Sequence, residues 1–104
     1  MIVSDIVKDF VIAKEIEEGC SPRTCKAYEY DLEMFIRTLG DLEIERIRSY
    51  HIRRFLKGLH DRNYTKAGMA RKIACLKSFF KFCELNEITD KNPMRSIKSP
   101  KIRQ

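Results

Sequence analysis

Apolar residues recur along this chain every three or four positions, the period of α-helices that each bury one face. Ile2, Val3, Ile6, Val7, Phe10 and Ala13 make the first stripe, with Ser4 or Asp5 near the helix start and Gly19 at its end. A second begins at "SPRT", residues 21–24. Ser21 is a good N-cap there, and Pro22 suits the first helical position, where its missing N–H costs nothing. Cys25, Tyr28, Leu32, Phe35, Ile36 and Leu39 continue that stripe until Gly40 stops it. "DLEIERIRS", residues 41–49, reads as a connector holding two or three buried aliphatics. A third helix is expected from Ser49 to Arg62, burying Ile52, Phe55, Leu56 and Leu59. Thr65 caps the fourth and longest, which runs to Leu85 with Met69, Ile73, Leu76, Phe79, Phe80 and Cys83 facing inward. No run alternates as a strand does, so the expected fold is an all-α bundle of four main helices.

The periodicity stops after Leu85. Asn92-Pro93 and Ser99-Pro100 each disfavour helix at the residue before proline. Residues 1–92 are therefore expected to form the folded domain, and 93–104 an extended basic linker.

Charge changes the picture of the fourth helix. The 104 residues carry net +6 and a pI near 9.3, yet none of the 15 acids falls between Arg62 and Cys83. That segment holds six cations, so the rest of the chain is neutral in sum. Opposite the apolar stripe lie Lys66, Ala67, Ala70, Arg71, Ala74, Lys77, Ser78 and Lys81. A solvated helix face ordinarily mixes signs, because Glu and Lys four apart support the helix. A face that is only basic and small suits a phosphate surface instead: small residues let the backbone approach, cations reach the anions, and a major groove about 12 Å wide admits one helix. The plain alternative is a lysine-rich face that only keeps the protein soluble.

The second helix repeats the pattern with Arg23, Lys26, Ala27 and Tyr30. Its free N–H groups and dipole make a phosphate seat that the Ser21 and Thr24 hydroxyls extend. The candidate DNA-binding set is Ser21, Arg23, Thr24, Lys26, Tyr30, Lys66, Arg71, Lys72, Lys77 and Lys81. Duplex DNA is favoured over RNA, whose A-form major groove is too narrow for a helix.

Other chemistries find no support. No apolar run reaches the roughly 20 residues of a membrane span, and no signal peptide is visible. Cys20, Cys25, Cys75 and Cys83 form no C-x-x-C pair and read as free thiols of a cytoplasmic protein, with Cys25 and Cys83 on buried stripes. No metal or cofactor is expected. His51 and His60 read as exposed polar residues. Neither a phosphate loop, a nucleophile elbow nor a carboxylate pair is present, so this chain alone is not expected to be an enzyme.

Three stretches, "SPRTCKAYEYDLEMFIRTL", "YHIRRFLKGL" and "TKAGMARKIACLKSFFKFCELNEITDKNP", resemble the N-terminal core-binding domain of tyrosine recombinases, the phage-integrase and Xer family. The likeness rests on Ser21, Thr24, Tyr28, Asp31, Leu32 and Phe35, then on the run from Arg71 to Phe80, then on Asn92-Pro93. It implies a SAM-like orthogonal bundle forming half of a C-shaped clamp around duplex DNA, with the second and fourth helices in the major groove. It also implies a catalytic domain beyond the 93–104 linker and, in the full-length protein, other recombinase protomers as partners in a synaptic complex on the nucleoid. One departure is Gly68, where the family often has Ser or Thr; a phosphate contact is lost there, and Lys66 is the candidate to replace it. Two other readings stay open: a SAM-type protein–protein interaction domain with an acidic partner, and a helix-turn-helix transcription regulator.

Overall fold

The computed structural model describes residues 1–101, which form α1 (Val3–Ile16), α2 (Pro22–Leu39), α3 (Ser49–Asp61) and α4 (Lys66–Leu85), with a 3₁₀ turn at Ile44–Arg46 before α3. Aromatic rings decide how the helices meet. Phe10 of α1 stands edge-on to Tyr28 of α2 at 5.3 Å between centroids and to Phe79 of α4 at 5.4 Å. Phe79 meets its neighbour Phe80 at 5.3 Å, Phe80 meets Phe35 of α2 at 6.4 Å, and Phe35 meets Phe55 of α3 at 5.2 Å. Phe10, Phe35, Phe55, Phe79 and Phe80 are all buried, so one edge-to-face chain ties all four helices together. Two residues outside the expected stripes, Met34 and Cys75, are also buried, at the flanks of α2 and α4.

The helix ends differ from expectation in instructive ways. α1 starts at Val3, with Ser4 and Asp5 in its first turn as expected, but Ile2 at the N-cap makes no side-chain bond. The connector supplies the acceptors instead. Asp41 accepts from the Ser4 N–H at 2.9 Å and from the Ser4 hydroxyl, while the Leu42 carbonyl accepts from the Val3 N–H at 3.0 Å. Ser21 and Thr65 do cap locally, accepting from the N–H of Thr24 at 3.2 Å and of Gly68 at 3.0 Å.

Both α3 and α4 end in left-handed residues that are not glycine: Asn63 at φ 63° and Glu87 at φ 57°. The Tyr64 N–H bonds the Leu59 carbonyl at 3.2 Å, and the Ile88 N–H bonds the Cys83 carbonyl at 2.9 Å, each closing a Schellman turn. Asparagine tolerates this conformation; glutamate is strained in it.

The segment after Asn92 is not extended along its first part. Met94 and Ile97 are buried at 2% and 6% exposure, and residues 93–96 form turns. Glu84 of α4 holds them. One carboxylate oxygen accepts from the Asn92 side-chain amide at 2.8 Å, the other from the Arg95 guanidinium at 3.1 Å. Asn92 also accepts from the Met94 N–H at 2.9 Å. The two apolar side chains gain more from the core than an extended chain offers. The last expected linker residues, 102–104, lie outside the described residues.

Burial governs the thiols. Cys25, Cys75 and Cys83 are buried and Cys20 is half-buried. Loss of solvent pushes the thiols of Cys75 and Cys83 up to about 12 and raises that of Cys25. An alkylating reagent at pH 8 should label Cys20 quickly and the other three only as fast as the protein unfolds; fast native labelling of Cys83 would contradict its place in the core. The pH dependence has a fixed sign. An unfolded thiol ionises near about 8.5, whereas the folded state keeps these protons to about pH 12. Stability from this source is full below about pH 8.5 and falls as pH rises towards 12.

Replacing Glu87 by glycine should stabilise the domain by about 1 kcal/mol, since it relieves a left-handed L-residue. A higher urea midpoint at unchanged slope is the expected result, and an unchanged midpoint would show that the α4 turn is unstrained.

Candidate nucleic-acid interface

The N-terminal half of α2 packs beside the middle of α4, and the line between them is open. Arg23, Thr24 and Ala27 from α2 and Arg71 and Ala74 from α4 line a groove of about 480 Å³, with Tyr28, Asp31 and Cys75 completing its wall. Two alanines keep the groove wide, and the two arginines stand on it from opposite helices. Arg23, Thr24, Arg71 and Ala74 are exposed. The α2 start sits at one end, where Pro22 opens the helix and the Ser21 hydroxyl, besides capping, donates to the Thr24 hydroxyl at 3.1 Å.

Lys26 and Tyr30 are exposed on α2 beyond that wall. Lys66 is exposed in the first turn of α4. Next to it, a Cβ added at Gly68 would stand 3.3 Å from the Thr65 hydroxyl and 3.4 Å from the Tyr64 ring. Glycine at 68 therefore suits a cap already filled by threonine and an adjacent tyrosine, which gives the departure from the family pattern a local cause.

Lys77 and Lys81 are exposed too, but they belong to a different groove, lined with Glu84, Asn92, Met94, Arg95 and Ile97. The acid-free face of α4 is thus continuous, while its two ends look onto different neighbours: α2 at Arg71, and the C-terminal turn at Lys77 and Lys81.

Lys72 corrects the sequence reading. Its ammonium pairs with Asp31 of α2, and both side chains are only 12% exposed. It lies 5.2 Å from the Tyr30 ring centroid and 6.0 Å from that of Tyr64. A cation so enclosed is neutralised within the fold and does not stand on the exposed face with Arg71 and Lys77. Sequence reasoning missed the pair because its partners are 41 positions apart. The available signal was Asp31 itself, a lone acid on the wall of a basic groove.

His51, expected to be exposed, is half-buried, and its Nδ1 accepts from the Arg48 N–H at 2.9 Å and closes the start of α3. Among the described residues no group of three or more His, Cys, Asp or Glu is placed to hold a metal ion, and no helix is long and apolar enough to cross a membrane.

The family model of the phage integrase N-terminal SAM-like domain matches residues 7–86. The chain belongs to this family. A tyrosine recombinase of Pseudothermotoga lettingae is 35% identical over 88 residues, covering 81% of this chain and 31% of its own length. The tyrosine recombinase XerC of Oceanobacillus iheyensis is 33% identical over 98 residues, covering 91% of this chain and 32% of its own length. The chain thus spans about a third of the length of the curated relatives it matches. Among solved structures, a lambda integrase (75–356) dimer bound to a COC′ core site matches all of this chain and 37% of its own at a TM-score of 0.85. Identity there is 17%, so that likeness establishes the shared fold. The all-α SAM-like bundle implied by the sequence is the architecture observed, and the chain is an N-terminal domain of the tyrosine recombinase and integrase type.

The Lys72–Asp31 pair gives a prediction that separates it from the surface cations. Asp31→Ala leaves a nearly enclosed ammonium unpaired and should cost about 3 kcal/mol of stability. The double variant Asp31→Leu with Lys72→Met should recover most of that loss. Equal instability of the single and double variants in urea titrations would show that packing, not the unpaired charge, sets the cost.

Proposed function

We propose that this domain holds duplex DNA for a site-specific tyrosine recombinase, laying α2 and α4 along the major groove while strand cleavage and rejoining are performed by catalytic parts outside this chain. The observation that carries the reading is the convergence of two basic, small-residue helix faces on one groove, with Arg23 and Arg71 opposed across it. Its one acid, Asp31, is neutralised by Lys72.

Each part then has a task. Ser21 and Thr24 at the α2 start offer hydroxyls beside free backbone N–H groups, where a phosphate is favoured by the helix dipole. Arg23, Lys26, Lys66, Arg71, Lys77 and Lys81 supply cations for phosphates or guanine edges. Tyr30 supplies a ring and a hydroxyl at the rim. Phosphate contacts fix the register of the domain on DNA, and base contacts made by the arginines select the sequence. The similar lambda integrase is bound to a core site as a dimer, which supports DNA and other protomers as partners of the recombinase. Its place of work on this reading is the nucleoid.

With about five phosphates engaged, log K for duplex DNA should fall against log salt with a slope of roughly −4 to −5. Arg71→Glu or Lys77→Glu should weaken binding sharply with little change in melting temperature, since both side chains are exposed. Lys8→Glu is the control, because Lys8 lies on α1 beside Glu15, Glu29 and Glu33. An equal loss from all three reversals would reduce the interface to bulk charge. Binding to an acidic protein, with none to duplex DNA at any salt, would favour the protein-interaction reading instead.

A further inference from the structure

A groove of about 330 Å³ lies where the start of α3 meets the C-terminal turn, and none of its residues belongs to the α2–α4 groove. Arg48, Lys91 and Arg95 line it with Ser49 and Ser96, and no carboxylate does. Arg95 also lines the adjoining groove that contains Lys77 and Lys81. The basic face of α4 therefore adjoins the cations at the start of α3 across the C-terminal turn, with Glu84, paired to Arg95, as the one carboxylate lining the two grooves.

The scaffold beneath these charges is fixed. Met94 and Ile97 are buried, Glu84 grips both Asn92 and Arg95, and the Arg53 guanidinium reaches Ser96 at 3.5 Å. Lys91 and Arg95 are thus presented by an anchored turn rather than by a loose tail.

Charge distribution identifies the ligand class. From Lys91 to Gln104 the chain has five cations and no acid, as 62–83 has six and none. These two stretches together hold +11, leaving net −5 on the rest of the chain. An interface for an acidic protein would present an aromatic or aliphatic anchor at its centre. Here Ile47 is 3% exposed and Pro93 half-buried, so the groove has no aromatic or deep aliphatic anchor, and its polar groups are cations, hydroxyls and the Asn92 amide. That is the chemistry of a phosphodiester backbone, which is repetitive and charged and needs no apolar pocket.

We propose that Arg48 and Lys91, with the Glu84-paired Arg95 beside them, form a second phosphate-binding surface, which grips the backbone of the same duplex beyond the segment held by α2 and α4. This rests on the DNA-binding reading above, and it adds that the α3 start and the C-terminal turn lengthen the contact along the strand.

The test uses Arg48→Glu and Lys91→Glu in the whole chain, on a recombination-site duplex of about 30 base pairs. Arg48→Glu puts a carboxylate at the N-terminus of α3, where the helix dipole favours it, so lost affinity will not reflect lost folding. Each variant should bind about 5- to 10-fold more weakly at about 0.1 M salt, with a salt slope shallower by about 1. Hydroxyl-radical footprints should lose protection at one end only, while Arg71→Glu thins protection in the middle. Unchanged affinity and slope would overturn the second surface, as would a footprint that weakens uniformly, in the manner of Lys8→Glu. If the unaltered chain shows no salt-dependent binding to duplex DNA, the failure lies in the DNA-binding reading itself.

Discussion

Phe79 and Phe80 are adjacent in sequence and both fully buried, and the other helices take their positions from them. Neighbours on a helix point about 100° apart, so the two rings demand partners on two sides of α4. Phe79 takes Phe10 of α1, and Phe80 takes Phe35 of α2, which in turn stands against Phe55 of α3. Truncating one such ring costs about 3–5 kcal/mol, whereas an exposed ion pair such as Lys57–Asp61 contributes about 0–1. The aromatic chain therefore sets the geometry, and the surface charges are free to serve something else. With its inward side so occupied, α4 has only its small, basic side left for solvent.

The charges follow that division. Some cations have a carboxylate partner: Lys14 has Glu18, Lys57 has Asp61, Lys72 has Asp31 and Arg95 has Glu84. Arg23, Lys26, Lys66, Arg71, Lys77 and Lys81 have none within ion-pair distance among the described residues. Mutual repulsion along α4 is tolerable because the helix is held by its apolar side, and an isolated helix of this composition would gain nothing from i,i+4 pairs. Lys72–Asp31 is different in kind. It joins the two basic helices below their exposed faces, and with Tyr30 and Tyr64 around it, it fixes the separation at which Arg23 and Arg71 confront each other.

Features encoded locally were legible in the sequence. The helix periodicities, the Ser21 and Thr65 caps, the acid-free face and the exposed Arg23, Lys26, Arg71 and Lys77 follow from residues within a turn or two of one another. What escaped depends on distant partners or on permissive conformations. α1 is capped by Asp41, some 37 positions away, so its start has no local signature. Asn63 and Glu87 occupy turns where glycine is the usual signal, and a glutamate there cannot be anticipated from composition. Met94 and Ile97 lie in a proline-bounded basic stretch whose burial depends on Glu84. A helix wheel groups Lys72 with the surface cations, because it records direction but not the carboxylate on the next helix.

That last error bears on how such an interface works. A cation buried against a carboxylate contributes no counterion release, whatever its position on the wheel, whereas the same charge on a rigid exposed frame contributes nearly a full one. Affinity is then governed less by the number of lysines and arginines than by how many of them the fold leaves unpaired and holds still. The aromatic chain and the Lys72–Asp31 bridge hold α2 and α4, and Glu84 holds the turn that carries Lys91 and Arg95. On the DNA-binding reading, cations preorganised in this way lose little further freedom on meeting a phosphate strand. Outside 62–83 and 91–104 the chain carries net −5 even with Arg23, Lys26 and Arg48 counted, so on the DNA-binding reading the other surfaces in sum repel a phosphate strand.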